Sequence, residues 1–201
     1  MGSSAEADDE GRKAASVRGK VKPVDMSYRD LTGANFEGKF LHGSRLVGAN
    51  LVKAKLARAI LVEADLFGAN LSHADLSGAD LTRAVMRGVC LRGANLNHCR
   101  LIETDFRGGV MLDVGRSSPV GLEITDLSEC LVEYASATRA QLSGVDLSGA
   151  SLVGADLSGA VLFGANLSDA DLSYCSLGGA NLSDARLGKT KFIGAASLER
   201  G

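Results

Sequence analysis

Carboxylates recur through this sequence with a regularity that could serve acid–base or cation chemistry. Asp65, Asp75, Asp80, Asp146, Asp156 and Asp171, with amides at Asn70, Asn95, Asn166 and Asn181, each stand immediately before a leucine. Paired carboxylates can pass a proton or hold a cation when a fold brings them within reach of one another. Four cysteines (Cys90, Cys99, Cys130, Cys175) and three histidines (His42, His73, His98) complete the set of nucleophilic and metal-capable side chains. What these groups can do depends on which of them share a surface, and that is decided by the elements that carry them.

The carrying element is an internal repeat of period five. In Val145–Leu172, leucines fall at 147, 152, 157, 162, 167 and 172, and Val145, Ala150, Ala155, Ala160, Ala165 and Ala170 stand two positions before them. An α-helix turns about 100° per residue, so leucines five apart would scatter around every side of it. In a flat strand, whose period is two, they would alternate faces. The pattern works when each pentapeptide is one short extended segment followed by a corner. Leu and the small residue two before it then point inward, while the residue between them and the two after it face out or turn. Small Ala beside large Leu suits a narrow interior.

The motif A-(D/N)-L-x-G resembles that of the pentapeptide-repeat family, over roughly Val24–Phe192. The resemblance implies an all-β fold, a right-handed quadrilateral parallel β-helix with four pentapeptides per coil. About eight coils at ~4.8 Å each would make a rod of roughly 40 Å. One face should then collect every twentieth residue.

Along the chain, residues 1–22 are small, polar and charged and are read as a mobile tail. The β-helix is expected over 23–198. Its ladder runs unbroken from Met26 to Met111, resumes at Leu122 and continues to Leu187 and Phe192. That restart comes eleven residues on instead of ten, so the first register spans 23–111 and the second 122–198. Between them, 112–121 reads as a loop or bulge, since LDVGRSSPVG holds a proline and two glycines. The motif is weakest around Val132–Ala137, where a distorted coil is expected. Residues 12–23 could cover the N-terminal end of the column, and the C-terminal end is a candidate contact for a homodimer. No apolar leader and no membrane-length apolar run is present. The reading is therefore a soluble, intracellular protein, cytoplasmic in the first instance.

On such a scaffold the reactive groups separate. Cys99, Cys130 and Cys175 take the small inward position, where Cys serves as a slightly larger Ala, and Cys90 faces outward alone. The three histidines fall on three different faces, so no metal site and no catalytic pairing follows. The Asp and Asn before each Leu are expected to bond corner backbone groups, as Asx side chains do in turns. No phosphate loop, nucleophile elbow or cofactor motif occurs, and a non-enzymatic protein without cofactors is expected.

The surface carries the remaining signal. Net charge is −2, but residues 31–107 hold ten Lys or Arg against seven Asp or Glu, and residues 122–201 hold five against ten. Phe40, Ile60, Val62, Phe67, Val161 and Phe163 are apolar at outward positions and are the candidate partner-binding residues. Phe40 and Ile60, twenty apart, should stack on one face, where the N-terminal segment could instead fold over them as a cap. The reading is a non-catalytic scaffold or adaptor that binds a protein partner through flat β-helix faces, without direct nucleic-acid binding. The family resemblance also implies an alternative, a DNA mimic that binds and protects a type II topoisomerase such as DNA gyrase. Mimicry asks for a strongly anionic rod, since a duplex carries about one negative charge per 1.7 Å. The small net charge and the basic half speak against it.

Overall fold

The computed structural model describes residues 22–107 and 125–196. The polar tail over 1–21, the loop at 112–121, the ladder residues Met111 and Leu122, and residues 197–201 lie outside them. Within the described residues the pentapeptide is the unit of structure. One residue of each pentapeptide pairs in parallel with its counterpart in the next coil, and up to Asp105 the step between partners is twenty residues, as in Asp25↔Arg45 and Phe40↔Ile60. Four pentapeptides therefore close one coil, which has four faces.

The first face is centred on Asp25, Arg45, Asp65, Val85 and Asp105, and the second on Asp30, Asn50, Asn70 and Cys90. The third is centred on Asn35, Lys55, Asp75 and Asn95, and the fourth on Phe40, Ile60, Asp80 and Arg100. Across residues 108–124 the step becomes 31, in Asn95↔Asp126, Arg100↔Leu131 and Asp105↔Ser136. The eleven extra residues are two pentapeptides and one residue more. The sequence register consequently moves by one while the faces stay in line. Ser136, Asp156 and Ser176 continue the first face, and Gln141, Val161 and Asn181 the second. Asp126, Asp146, Asn166 and Arg186 continue the third, and Leu131, Ser151, Asp171 and Lys191 the fourth.

Backbone polar groups must be paired wherever they leave water, and this coil does so locally. The ladder residue donates to the next coil (Leu31 N–H to Asn50 C=O, 2.7 Å), and the face-centre residue donates back (Asn50 N–H to Arg29 C=O, 2.9 Å). Each corner is a turn, closed by bonds such as Ala34 N–H to Leu31 C=O at 3.0 Å. The first corner N–H is taken by the preceding Asp or Asn: Ser77 N–H donates to Asp75 Oδ1 at 3.0 Å, Ser158 to Asp156 at 3.0 Å and Ser168 to Asn166 at 3.2 Å. The carboxylates thus build corners, as expected. The second corner residue has φ near +60°, in Glu63, Arg83 and Tyr134 as well as in many glycines. The fold holds non-glycine residues in this left-handed region because the inter-coil bonds over-determine it.

Inside, Leu46, Leu66, Leu76 and Leu96 are fully buried among small residues such as Ala54, Ala74 and Ala94. Each such Leu contributes on the order of 1.5–3 kcal/mol. Where Thr or Cys replaces the small Ala it stays paired: Thr104 Oγ1 donates to Leu81 C=O at 2.9 Å and Cys130 Sγ to Leu96 C=O at 2.8 Å. The coil at Val132–Ala137 is not distorted. Its bridges Leu131↔Ser151 and Ser136↔Asp156 are regular, and Ala137 stands in the ladder one coil beyond the larger Phe106. The mismatch leaves a small apolar void beside Phe106, Val132 and Leu142 instead of bending the backbone. The column thins at both described ends, where Met26, Leu31 and Phe36, and then Leu182 and Phe192, are only partly buried.

Candidate interaction faces

The acidic groups are tied down as well as spread out. Asp105 Oδ1 accepts from Arg107 Nε at 2.8 Å, Asp105 Oδ2 accepts from Arg107 Nη2 at 2.7 Å, and Arg87 Nε lies 3.4 Å from the same Oδ2. The Arg107 hydrogen bonds hold the Asp105 carboxyl below the usual range and raise the Arg107 guanidinium in turn. Asp171 is likewise held low, first by its bond from Ser173. A group whose pKa is lowered on folding adds stability above its unfolded value, near 3.8, and loses it as pH falls further through the folded value. Asp105→Asn should therefore cost about 1 kcal/mol or less at pH 6, and the difference from wild type in urea midpoints should close as pH falls below about 4. A difference that persists unchanged at pH 3 would mean the site is held by shape and not by charge.

All four cysteines are free; Cys99, Cys130 and Cys175 are buried and Cys90 is half-buried. Burial pushes the Cys175 thiol up to about 11. Cys99 and Cys130 stand at the same inward position of neighbouring coils, a pairing hidden in the sequence by the 31-residue step. Contact with Cys99 and burial together raise the Cys130 thiol strongly, which leaves it a poor nucleophile. His42 lies 3.8 Å from Glu63 and His98 lies 3.1 Å from Glu129. Among the described residues, no three or more His, Cys, Asp or Glu are grouped to hold a metal ion.

The apolar candidates fall into two groups. Phe40 and Ile60 are bridged neighbours on the fourth face, both half-buried, and the Phe40 ring tilts against His42 at 5.9 Å between centroids. Val62 does not join them at the surface. It is only 4% exposed, because its corner column places it between His42 and Thr82. Phe67 and Phe163 are each 49% exposed and stand at the two opposite corners that border the second face. Arg87 Cζ lies 5.7 Å from the centroid of the Phe67 ring. Val161, half-buried, is at the centre of that same face.

Sequence reasoning missed the most exposed aromatics, Tyr28, Tyr134 and Tyr174. Each occupies the second corner position and lays its ring on the glycine twenty residues ahead. A Cβ on Gly48, Gly154 or Gly194 would sit 2.7–2.9 Å from two carbons of the ring. A Tyr at the corner with Gly at +20 was the signal available.

A family model for pentapeptide repeats matches eight copies, over residues 30–61, 59–97, 125–162 and 160–195. The chain belongs to the pentapeptide-repeat family. Its fold is accordingly the right-handed quadrilateral β-helix, a repeat scaffold. Among solved structures, this pentapeptide-repeat chain is similar to HetL, a pentapeptide repeat protein involved in heterocyst differentiation regulation in the cyanobacterium Nostoc sp. strain PCC 7120. Identity is 30%, covering 89% of this chain and 76% of HetL, with a TM-score of 0.56. A trypsin-treated form of QnrB1, a plasmid-mediated fluoroquinolone resistance protein, shares 20% identity over 85% of this chain and 90% of its own, with a TM-score of 0.51. That likeness concerns the fold. No curated protein matches the chain. Among the described residues, no helix is long and apolar enough to cross a membrane.

Proposed function

We propose that this pentapeptide-repeat protein is a non-catalytic adaptor that binds a protein partner through the flat outer faces of its β-helix. The observation that carries the reading is the placement of large apolar side chains. The interior is already filled by Leu and Ala, yet Phe67 and Phe163 stay half-exposed and Phe40 and Ile60 stack together on an outer face. Such patches on a rigid scaffold mark interaction sites. HetL's involvement in regulating differentiation is consistent with a binding role of this kind. Buried free thiols suit an intracellular setting.

The DNA-mimic alternative asks for a rod of one sign. Here charges of opposite sign alternate along the coils, as in Arg83–Glu63 (2.6 Å), Arg45–Asp25 (3.6 Å) and Lys191–Asp171 (3.4 Å). Affinity capture from native extract, comparing wild type with Phe40→Asp/Ile60→Asp and with Phe67→Asp/Phe163→Asp, tests the adaptor reading. The expected result is a protein retained by wild type and lost by one of the two variants, that variant keeping its β-helix circular dichroism. Recovery of a type II topoisomerase would replace the adaptor reading with mimicry. Capture of nothing by wild type would sink it.

A further inference from the structure

The four faces differ in charge in a way that singles out one of them. From Asn50 onward, the described centres of the second face are Asn50, Asn70, Cys90, Gln141, Val161 and Asn181, none of them Asp, Glu, Lys or Arg. Each other face is interrupted by charges, such as Asp65 and Asp105 on the first, Asp126 and Asp146 on the third, and Asp80 and Arg100 on the fourth. Along the two corners that border the second face stand Lys53, Arg87, Arg107 and Arg139. Among the described residues, the acidic groups of this face and its corners, Asp30 and Asp184, lie in its first and last coils. Arg87 and Arg107 share the single Asp105 carboxylate of the first face, so that trio still keeps one net positive charge. Phe67 and Phe163 rise from opposite corners of this same face.

A binding surface combines an uncharged centre, cheap to desolvate, with aromatic anchors and a charged rim that steers the encounter. The second face has all three. Its centre also offers donors: in Asn70 and Asn181 the carboxamide oxygen is held by the corner N–H of Ser72 and Ser183 at 3.1 and 3.0 Å, which leaves the amide NH2 as the outward group. We infer that the second face is the docking face, and that its occupant is an acidic segment of a protein partner; this rests on the adaptor reading. Carboxylates of the segment meet the basic corners and the amide donors, while its apolar side chains pack beside Phe67 and Phe163.

The test uses the full chain and a labelled glutamate–tyrosine copolymer as the acidic protein probe, followed by fluorescence anisotropy at low salt. Lys53→Glu/Arg139→Glu reverses one charge on each bordering corner, and Arg58→Glu/Lys189→Glu reverses two on the corner between the third and fourth faces. Glutamate is tolerated at this turn position, because Glu63, Glu103 and Glu129 already occupy it with φ of 59°, 56° and 55°. The second-face variant should bind the copolymer at least about tenfold more weakly, with the control within about threefold of wild type. Equal weakening by both pairs, no weakening by either, no binding by wild type, or tighter binding of duplex DNA than of the copolymer would each overturn the assignment. In the extract capture, a partner lost with Phe40→Asp/Ile60→Asp but kept by Lys53→Glu/Arg139→Glu would also overturn it while leaving the adaptor reading intact. Absence of any partner would instead remove the adaptor reading itself.

Discussion

Truncating Leu76 to alanine should lower the unfolding free energy by roughly 2–5 kcal/mol, read as a drop in the urea midpoint. Leu76 is fully buried, in the third-face column between Leu56 and Leu96. Its neighbours are held at the one-coil spacing by backbone bonds such as Leu76 N–H to Asn95 C=O, 2.7 Å. They cannot slide in to fill the gap, so the cavity cost adds to the lost transfer energy. Leu187 occupies the same column in the last described coil and is 43% exposed. There Leu187→Ala should cost less than about 1 kcal/mol, since little apolar surface is withdrawn from water. Equal losses at the two positions would show that the end coil is covered in solution, and would refute an open column end.

Gly154→Ala is the second large effect, and Gly164→Ala is its control. Both glycines have positive φ, +70° and +65°. An added Cβ costs about 1–2 kcal/mol from backbone conformation alone. At Gly164 nothing lies within 4 Å of that Cβ, whereas at Gly154 it would sit 2.7 Å from two carbons of the Tyr134 ring. Gly154→Ala must therefore also displace the ring, a further loss of about 1–3 kcal/mol of the kind overpacking brings. In a Tyr134→Ala background the difference between the two substitutions should vanish. Persistence of the difference in that background would mean that the ring does not rest on Gly154.

The scaffold was legible because the chain says the same thing at every fifth residue. Leu at the ladder, Ala two before it and Asp or Asn between them each have one workable environment in a four-sided coil, so the corner-building role of Asp75 and Asp156 could be read directly. The apolar surface was less legible. Phe40 and Ile60 were correctly stacked by counting twenty, yet Val62, an equally apolar outward residue, is buried. Whether a corner side chain stays exposed depends on its neighbours one coil away, and His42 and Thr82 flank Val62. The tyrosines escaped notice for the same reason, since a ring lying on Gly154 depends on a residue twenty positions distant.

By itself the sequence determined the repeat: its period of five, the small-and-large filling of its interior and the family it resembles, and that resemblance in turn implied four faces. The first two are properties of one pentapeptide repeated, and local chemistry suffices for them. Only the tertiary structure decided which residues are neighbours across the 31-residue step, where Cys99 meets Cys130 and Asp105 meets Ser136. It alone gathered Phe67, Val161 and Phe163 around one face whose described centres from Asn50 onward include no Asp, Glu, Lys or Arg. The reason is physical. Inter-coil bonds set the stacking through the length of chain between rungs, and a surface is the sum of columns whose members lie a full coil apart.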